Sequence, residues 1–334
     1  MTKPLIVFTH GGGRLANQMI NHAHLVAFQA ANAGKLEVIN LAMGPFTSLF
    51  ESFYQGEIPS VPLDIKRANW FRKIMSKVVA PREYKMSAYN QILRLLHLFG
   101  VVLPGFQSIK VGIAPGFLAY LPGQTFKQFD LSSDAVKSIV FGCKVSLFAG
   151  WPIRSWKLFS LHQQSIRKAF QIKNVYADNA NQFIKEKRKG HELVIGVLMR
   201  QDDYRTWKSG KYFFENEVYY QWMNEVIRIF YDQRVAFIIA SDEKKDMVEF
   251  KAITAFLCTG QAVGSSHFIE SMAELSMCDY VMTPPSTFGV WAAFMGDVPI
   301  IPLFEREQKI EESQFLTHHI FDCIDHPHMS ISIK

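Results

Sequence analysis

Arg200, Asp202 and Asp203 follow directly on the apolar run LVIGVLM at 193–199, and Arg205, Lys208 and Lys211 crowd the stretch after it. A permanent charge at the end of a run that reads as a buried strand needs a purpose. A guanidinium is charged at every working pH and donates in a fixed fork to paired oxygens, which is what a departing nucleoside diphosphate presents as a glycosidic bond breaks. The competing reading is local: Arg200 pairs with Asp202 or Asp203 and pins the loop.

Two further apolar runs end in polar clusters. Ser241 and Asp242 leave the run RVAFIIAS, where a carboxylate can accept from a base edge or a ribose hydroxyl, or can cap a helix. The stretch DYVMTPPSTFGVWAAFMGDVPIIPL reads as strand, proline-braced turn, apolar helix and strand, with Ser286 and Thr287 at the helix start. Free amides of a first helical turn converge on an anion, and the macrodipole adds roughly 0.3–1 kcal/mol per favourable charge. An ordinary N-cap role for Ser286 competes with that reading.

The elements that must position these groups alternate. Short apolar strands are spaced by helical patterns such as YQWMNEVIRIF and HFIESMAELSMC, which implies parallel sheets with helices on both faces. Ligands of such sheets sit at the carboxyl ends of the strands. At the other end of the chain, Leu5 to Thr9 reads as a strand followed by Gly11, Gly12 and Gly13, and a helix from Leu15 to Ala30 stops at Gly34 before a second strand, KLEVINLA. Between Phe50 and Ala149 the periodicity blurs. At ~150 residues per domain, 334 residues predict two domains, with the boundary at Phe159: 1–158 and 159–334.

Lysine and arginine outnumber aspartate and glutamate by 36 to 30, a formal charge of +6 that favours anionic partners without specifying one. Cys143, Cys258, Cys278 and Cys323 lie far apart, so neither a zinc site nor a disulfide framework is signalled and a reducing, cytoplasmic setting is expected. The run from Leu5 to Phe8 is too brief for a signal-peptide core, and nothing reaches the ~20 apolar residues of a membrane span. Residues 66–85 interleave Lys66, Arg67, Arg72 and Lys73 with Trp70 and Phe71. Such a segment suits peripheral contact with an anionic membrane, or is a solvated helix face. The tail THHIFDCIDHPH holds several possible ligands, but its spacing matches no zinc pattern and no metal site is expected. His22 and His24 on the first helix read as packing or surface residues.

Taken together, the clusters resemble the GDP-fucose-dependent fucosyltransferases, best the bacterial α-1,2 branch, which is related to the α-1,6 and protein O-fucosyltransferases. GGGRLANQMINHA is similar to their glycine-rich signature, with Ala16 where glycine is usual. VLMRQDDY matches their His-x-Arg-Arg-Gly-Asp-Tyr with Arg200, Asp203 and Tyr204 in register, while Leu198, Gln201 and Asp202 depart from it. MAELSMCDYVMTPPSTFGVWAAF matches a third stretch through Cys278, Ser286, Phe288 and Trp291, with Pro285 and Val290 as departures.

The resemblance implies an α/β protein of GT-B type, two Rossmann-like doubly wound domains facing a cleft. It also implies inverting transfer of fucose from GDP-fucose, or of another sugar from its nucleotide, to a glycan hydroxyl, a lipid-linked glycan being one acceptor that fits, with no cofactor, no metal and no nucleic acid. Arg200, Asp203 and Asn17 are then the expected catalytic residues, and Gly12, Gly13, Arg14, Asp242, Ser286, Thr287 and Phe288 the expected donor-binding ones. A carboxylate salt-bridged to Arg200 would make a poor general base, so the base stays open between Asp202, Asp203 and other groups.

Two other classes compete. GGGRLA also fits a dinucleotide fingerprint, but the acidic residue that an NAD-dependent oxidoreductase needs at the end of the second strand is replaced by Asn40 and Ala42, and Glu37 comes too early. A basic, non-enzymatic lipid- or nucleic-acid-binding protein would explain 66–85 but not the polar strand ends.

Overall fold

The computed structural model describes residues 3–8, 14–53, 129–142, 145–148, 153–260 and 262–316. Gly12, Gly13, the basic segment 66–85, the histidine-bearing tail, Cys143 and Cys323 lie outside them. The protein is α/β, and every strand pairing among the described residues is parallel. The chain divides into two compact units, 1–171 and 172–334.

In the first unit β1 (Leu5–Phe8), α1 (Leu15–Ala31) and β2 (Glu37–Asn40) form the expected βαβ opening. The helix stops where Ala33 and Gly34 turn left-handed, at φ 50° and 65°, and the Gly34 amide returns to Gln29 O. β3 (Phe129–Asp130), α2 (Asp134–Gly142), β4 (Val145–Phe148) and β5 (Ile153–Arg154) follow, then α3 (Trp156–Leu161) and α4 (Gln163–Ala169). The sheet order is β2-β1-β4, and β3 pairs with β5.

α1 is buried on nearly every side, so its polar residues need internal partners. Asn21 accepts from Arg154 Nη1 at 2.7 Å, Ser155 N donates to His24 Nδ1 at 3.1 Å, and Gln29 donates to Leu36 O. Burial holds the His22 pKa down to about 3 and that of His24 well below its usual value, with Arg154 adding to the effect on His24. Both are neutral packing residues. α3 and α4 pack on α1, and Phe159 lies against His24 and Trp156, so these helices belong to the first compact unit.

The second unit holds α5 (Asn174–Lys187), β6 (Leu193–Met199), α6 (Asn216–Ile229), β7 (Val235–Ser241), β8 (Ala255–Leu257), α7 (Phe268–Ser276), β9 (Tyr280–Thr283), α8 (Thr287–Gly296) and β10 (Ile300–Pro302). The sheet order is β10-β9-β6-β7-β8. The chain runs outward from β6 through β7 to β8, then returns to the opposite side of β6 for β9 and β10, so the order reverses between β6 and β9. Every residue of β6 is buried, as a central parallel strand covered on both faces requires. On α6, Val218, Tyr219, Trp222, Met223 and Val226 form the inward stripe, and Trp222 Nε1 donates to Gln308 O at 2.7 Å. The forked pair of Arg188 with Asp279, two contacts of 2.9 Å, joins the end of α5 to the start of β9, and the Asp279 carboxylate also accepts from Val194 N.

A buried acid pair lies past the end of β8. Thr259 Oγ1 is 2.8 Å from Glu270 Oε2 and 2.5 Å from Glu274 Oε1, and both glutamates are buried. One hydroxyl carries one proton, so one of the two acids must supply another to bond both. Burial raises the Glu274 pKa above its ordinary 4.5, which favours its protonated form. An acid whose folded pKa is raised stabilises the fold fully below the unfolded pKa, and that contribution is lost as pH rises through the folded value. Glu274→Gln should therefore remove a loss of stability that the parent suffers as pH climbs above 4.5. Urea midpoints of both proteins from pH 4 upward check this; parallel curves would refute it.

Candidate active site

The carboxyl ends of β6, β7 and β9 meet around Arg200. Its Nη2 donates to Asp203 Oδ1 at 2.6 Å, and its Nε lies 3.3 Å from Asp242 Oδ2. The Asp203 contact closes a tight turn after β6; the Asp242 contact bridges to β7. That second pairing is Coulombic only, because Nε and Oδ2 are both buried and neither has a hydrogen-bond partner. The Arg200 side chain is 17% exposed and that of Asp242 12%, so the pair is poorly screened. Asp242 Oδ1 accepts from Gln201 N at 2.9 Å, which ties the two strand ends together.

Tyr204 makes the link to β9. Arg200 stands over its ring at 5.0 Å, and its hydroxyl donates to Pro285 O at 2.5 Å. Burial, partly offset by Arg200, pushes the Tyr204 pKa up to about 12, so the phenol keeps its proton and stays a donor. Pro285 immediately precedes Ser286, the N-cap of α8. The Ser286 hydroxyl makes no cap bond to the helix, so the first amides of α8 are not closed off by their own cap residue. Gly289 lets this turn settle on the end of β9, since a Cβ there would fall 2.3 Å from Thr283 Oγ1.

The second unit thus brings together Arg200, Asp203, Asp242 and the Ser286 helix start, with Thr287 and Phe288 half-buried in its first turn. Arg14 and Asn17 belong to the first unit, where Arg14 is exposed as the N-cap of α1 and Asn17 is half-buried one turn in. The loop-pinning contact expected of Arg200 is present, made by Asp203 and reinforced by Asp242. Asp202 is exposed, with no hydrogen bond or ion pair among the described residues. Asp242 is not a helix cap: the short helical turn after β7 is Met247–Phe250, and Asp246 caps it through Val248 N.

Three residues outside the expected set shape the site. Tyr204 ties two strand ends together; its place in register with the family's arginine motif was the available signal. Gln201 turns inward, donating to Phe214 O at 2.6 Å and accepting from Lys245. Lys245 is half-buried, and desolvation lowers its pKa. Leu198 is buried too, so of the three residues that depart from the arginine motif only Asp202 leaves its side chain exposed at the strand end. Cys258 and Cys278 are buried free thiols, and among the described residues no group of acids, histidines or cysteines could hold a metal ion. No helix among them is long and apolar enough to cross a membrane.

The fold is similar to that of a FUT1 mutant from Arabidopsis thaliana in complex with GDP, with a TM-score of 0.53 and 9% identity, covering 93% of this chain and 71% of that one. It is also similar to POFUT1 in complex with GDP, with a TM-score of 0.50 and 15% identity, covering 90% and 99%. No curated protein matches the sequence. Residues 130–321, more than half of the 334, match the model of glycosyl transferase family 11. With this match the oxidoreductase and non-enzymatic readings fall: the chain belongs to glycosyl transferase family 11 and is a glycosyltransferase.

Proposed function

We propose that this glycosyltransferase moves fucose from GDP-fucose to a glycan hydroxyl with inversion at the anomeric carbon, forming an α-1,2-type linkage, in a GT-B arrangement of two Rossmann-like domains. The observation that carries the reading is the junction of Arg200 and the open helix start at Ser286 on either side of the point where strand order reverses. That crevice is where parallel sheets bind nucleotides, and a cation and a helix N-terminus are the two devices that hold a diphosphate. The GDP in the FUT1 and POFUT1 structures agrees with a guanine nucleotide donor.

In this reading Asp203 and Asp242 hold the guanidinium in place before the reaction, so it stabilises charge on the leaving diphosphate without reorganising. Arg200 and the α8 amides carry that neutralisation, and no metal takes part. Asp203, engaged by Arg200, is a positioning residue rather than the base. Asn17, Arg14 and the glycines before them would serve the donor phosphates and the acceptor.

GDP, UDP and NAD are each titrated against the thermal midpoint; a ligand at about a hundred times its Kd adds about 2.7 kcal/mol. Stabilisation by GDP and turnover of GDP-fucose undiminished by EDTA are expected, with the product's anomeric configuration opposite to the donor's. Stabilisation by UDP alone would move the donor to another nucleotide sugar, and a response to NAD alone would sink the proposal.

A further inference from the structure

Beyond Tyr204 the chain builds a surface of stacked aromatic rings and lysines. Tyr204, Trp207 and Tyr212 follow one another ring to ring, with centroids 4.9 and 5.5 Å apart and planes tilted by 36° and 38°. Tyr204 lies against Arg200, so the series leads outward from the proposed reaction centre. Trp207 is 39% exposed, a large apolar side chain left in water beside a polar site. Lys208 Nζ stands over both outer rings, at 5.1 and 5.8 Å, and Lys211 Nζ over Tyr212 at 5.3 Å.

The charges here are not balanced. Arg200 is held by Asp203 and Asp242, and Arg205 by Glu243 at 2.9 Å, but Lys208 and Lys211 have no ion pair among the described residues. The backbone that presents them is strained. Lys208, Ser209 and Gly210 are left-handed in succession, at φ 48°, 58° and 77°, a conformation side-chain-bearing residues rarely keep without a reason.

We propose that residues 204–213 are the acceptor-docking surface of this transferase and that the glycan they take carries a negative charge. The inference rests on the transferase reading above and adds the acceptor's chemical class. A flat, rigid indole suits the apolar face of a sugar ring at little entropic cost. The two ammonium groups, now lying over the rings, move onto the carboxylate or phosphate of the incoming saccharide. The direction of the ring series sets the order: the reacting hydroxyl near Arg200, the charged units farther out.

The test measures, by calorimetry with GDP saturating, the binding of three oligosaccharides of equal length: a neutral galactan, an oligogalacturonate bearing carboxylates and a phosphorylated galactan. At least one anionic oligosaccharide should bind tenfold or more tighter than the neutral one, and this margin should shrink as salt rises. Whichever anion binds names the source of the charge. The double variant K208Q/K211Q should erase the margin, and W207A should weaken every oligosaccharide.

Equal binding of neutral and anionic glycans, or an unchanged margin in K208Q/K211Q, overturns the proposal. So does a loss in W207A of the GDP-induced rise in Tm, which would give the platform to the nucleotide instead. Should W207A fold poorly, the double lysine variant alone decides. Absence of any GDP response in the parent protein is a separate result that refutes the function proposal.

Discussion

Arg200→Lys should lower kcat for transfer from GDP-fucose by about 10²–10³-fold in the folded protein, the size of effect expected when one preorganised donor to a developing anion is lost, with a smaller fall in the thermal midpoint as one carboxylate loses its partner. Lysine keeps the charge, so the loss is one of geometry. The guanidinium reaches Asp203 through Nη2 and Asp242 through Nε while lying over Tyr204. A single ammonium cannot span both carboxylates and present a planar fork. The same substitution separates two roles. If Arg200 only pins the loop, the midpoint falls and the folded fraction turns over normally; if it also neutralises the leaving group, kcat of the folded fraction falls as well. Steady-state kinetics at saturating acceptor, with a melting curve on the same sample, decide between them, and a kcat within about tenfold of the parent would remove Arg200 from the chemistry.

How far this site could be read from sequence depends on which interactions are local. β6, β7 and β9 were visible because central parallel strands are continuous apolar runs, and the polar residues ending them mark where the sheet meets solvent. That reading found Arg200, Asp242 and Ser286. Their pairing was out of reach: Arg200 and Asp242 lie on different strands, and only the parallel register of β6 on β7 brings them together. The inward turn of Gln201 toward Phe214 and Lys245 depends equally on tertiary packing.

Weak periodicity hid other elements. β3 and β5 have two residues each and β8 three, too short for any alternation to register. The packing of α3 and α4 was equally hidden, because their sequences reveal an apolar face but not the surface it packs on, and that surface is α1, more than a hundred residues earlier.

Gly296→Ala should destabilise the fold by on the order of 1–3 kcal/mol, the usual cost of forcing a methyl group into a filled space. A Cβ at Gly296 would lie 1.9 Å from Ser276 O and 2.8 Å from Ser276 C, and these are backbone atoms at the end of α7 that cannot swing aside. Relief requires α8 to move away from α7. Gly142→Ala is the control: it ends α2, nothing lies within 4 Å of its Cβ, and its effect should stay within about 0.5 kcal/mol. The larger consequence lies at the other end of the helix. α8 is one rigid rod from Thr287 to Gly296, so a shift at its C-terminus moves the Ser286 amides proposed to hold the diphosphate. Misplacing such groups by about 1 Å can cost 10²-fold in rate. Urea unfolding together with GDP-induced stabilisation should show both losses in G296A and neither in G142A. A destabilised G296A that binds GDP as tightly as the parent would detach the α8 helix start from the nucleotide.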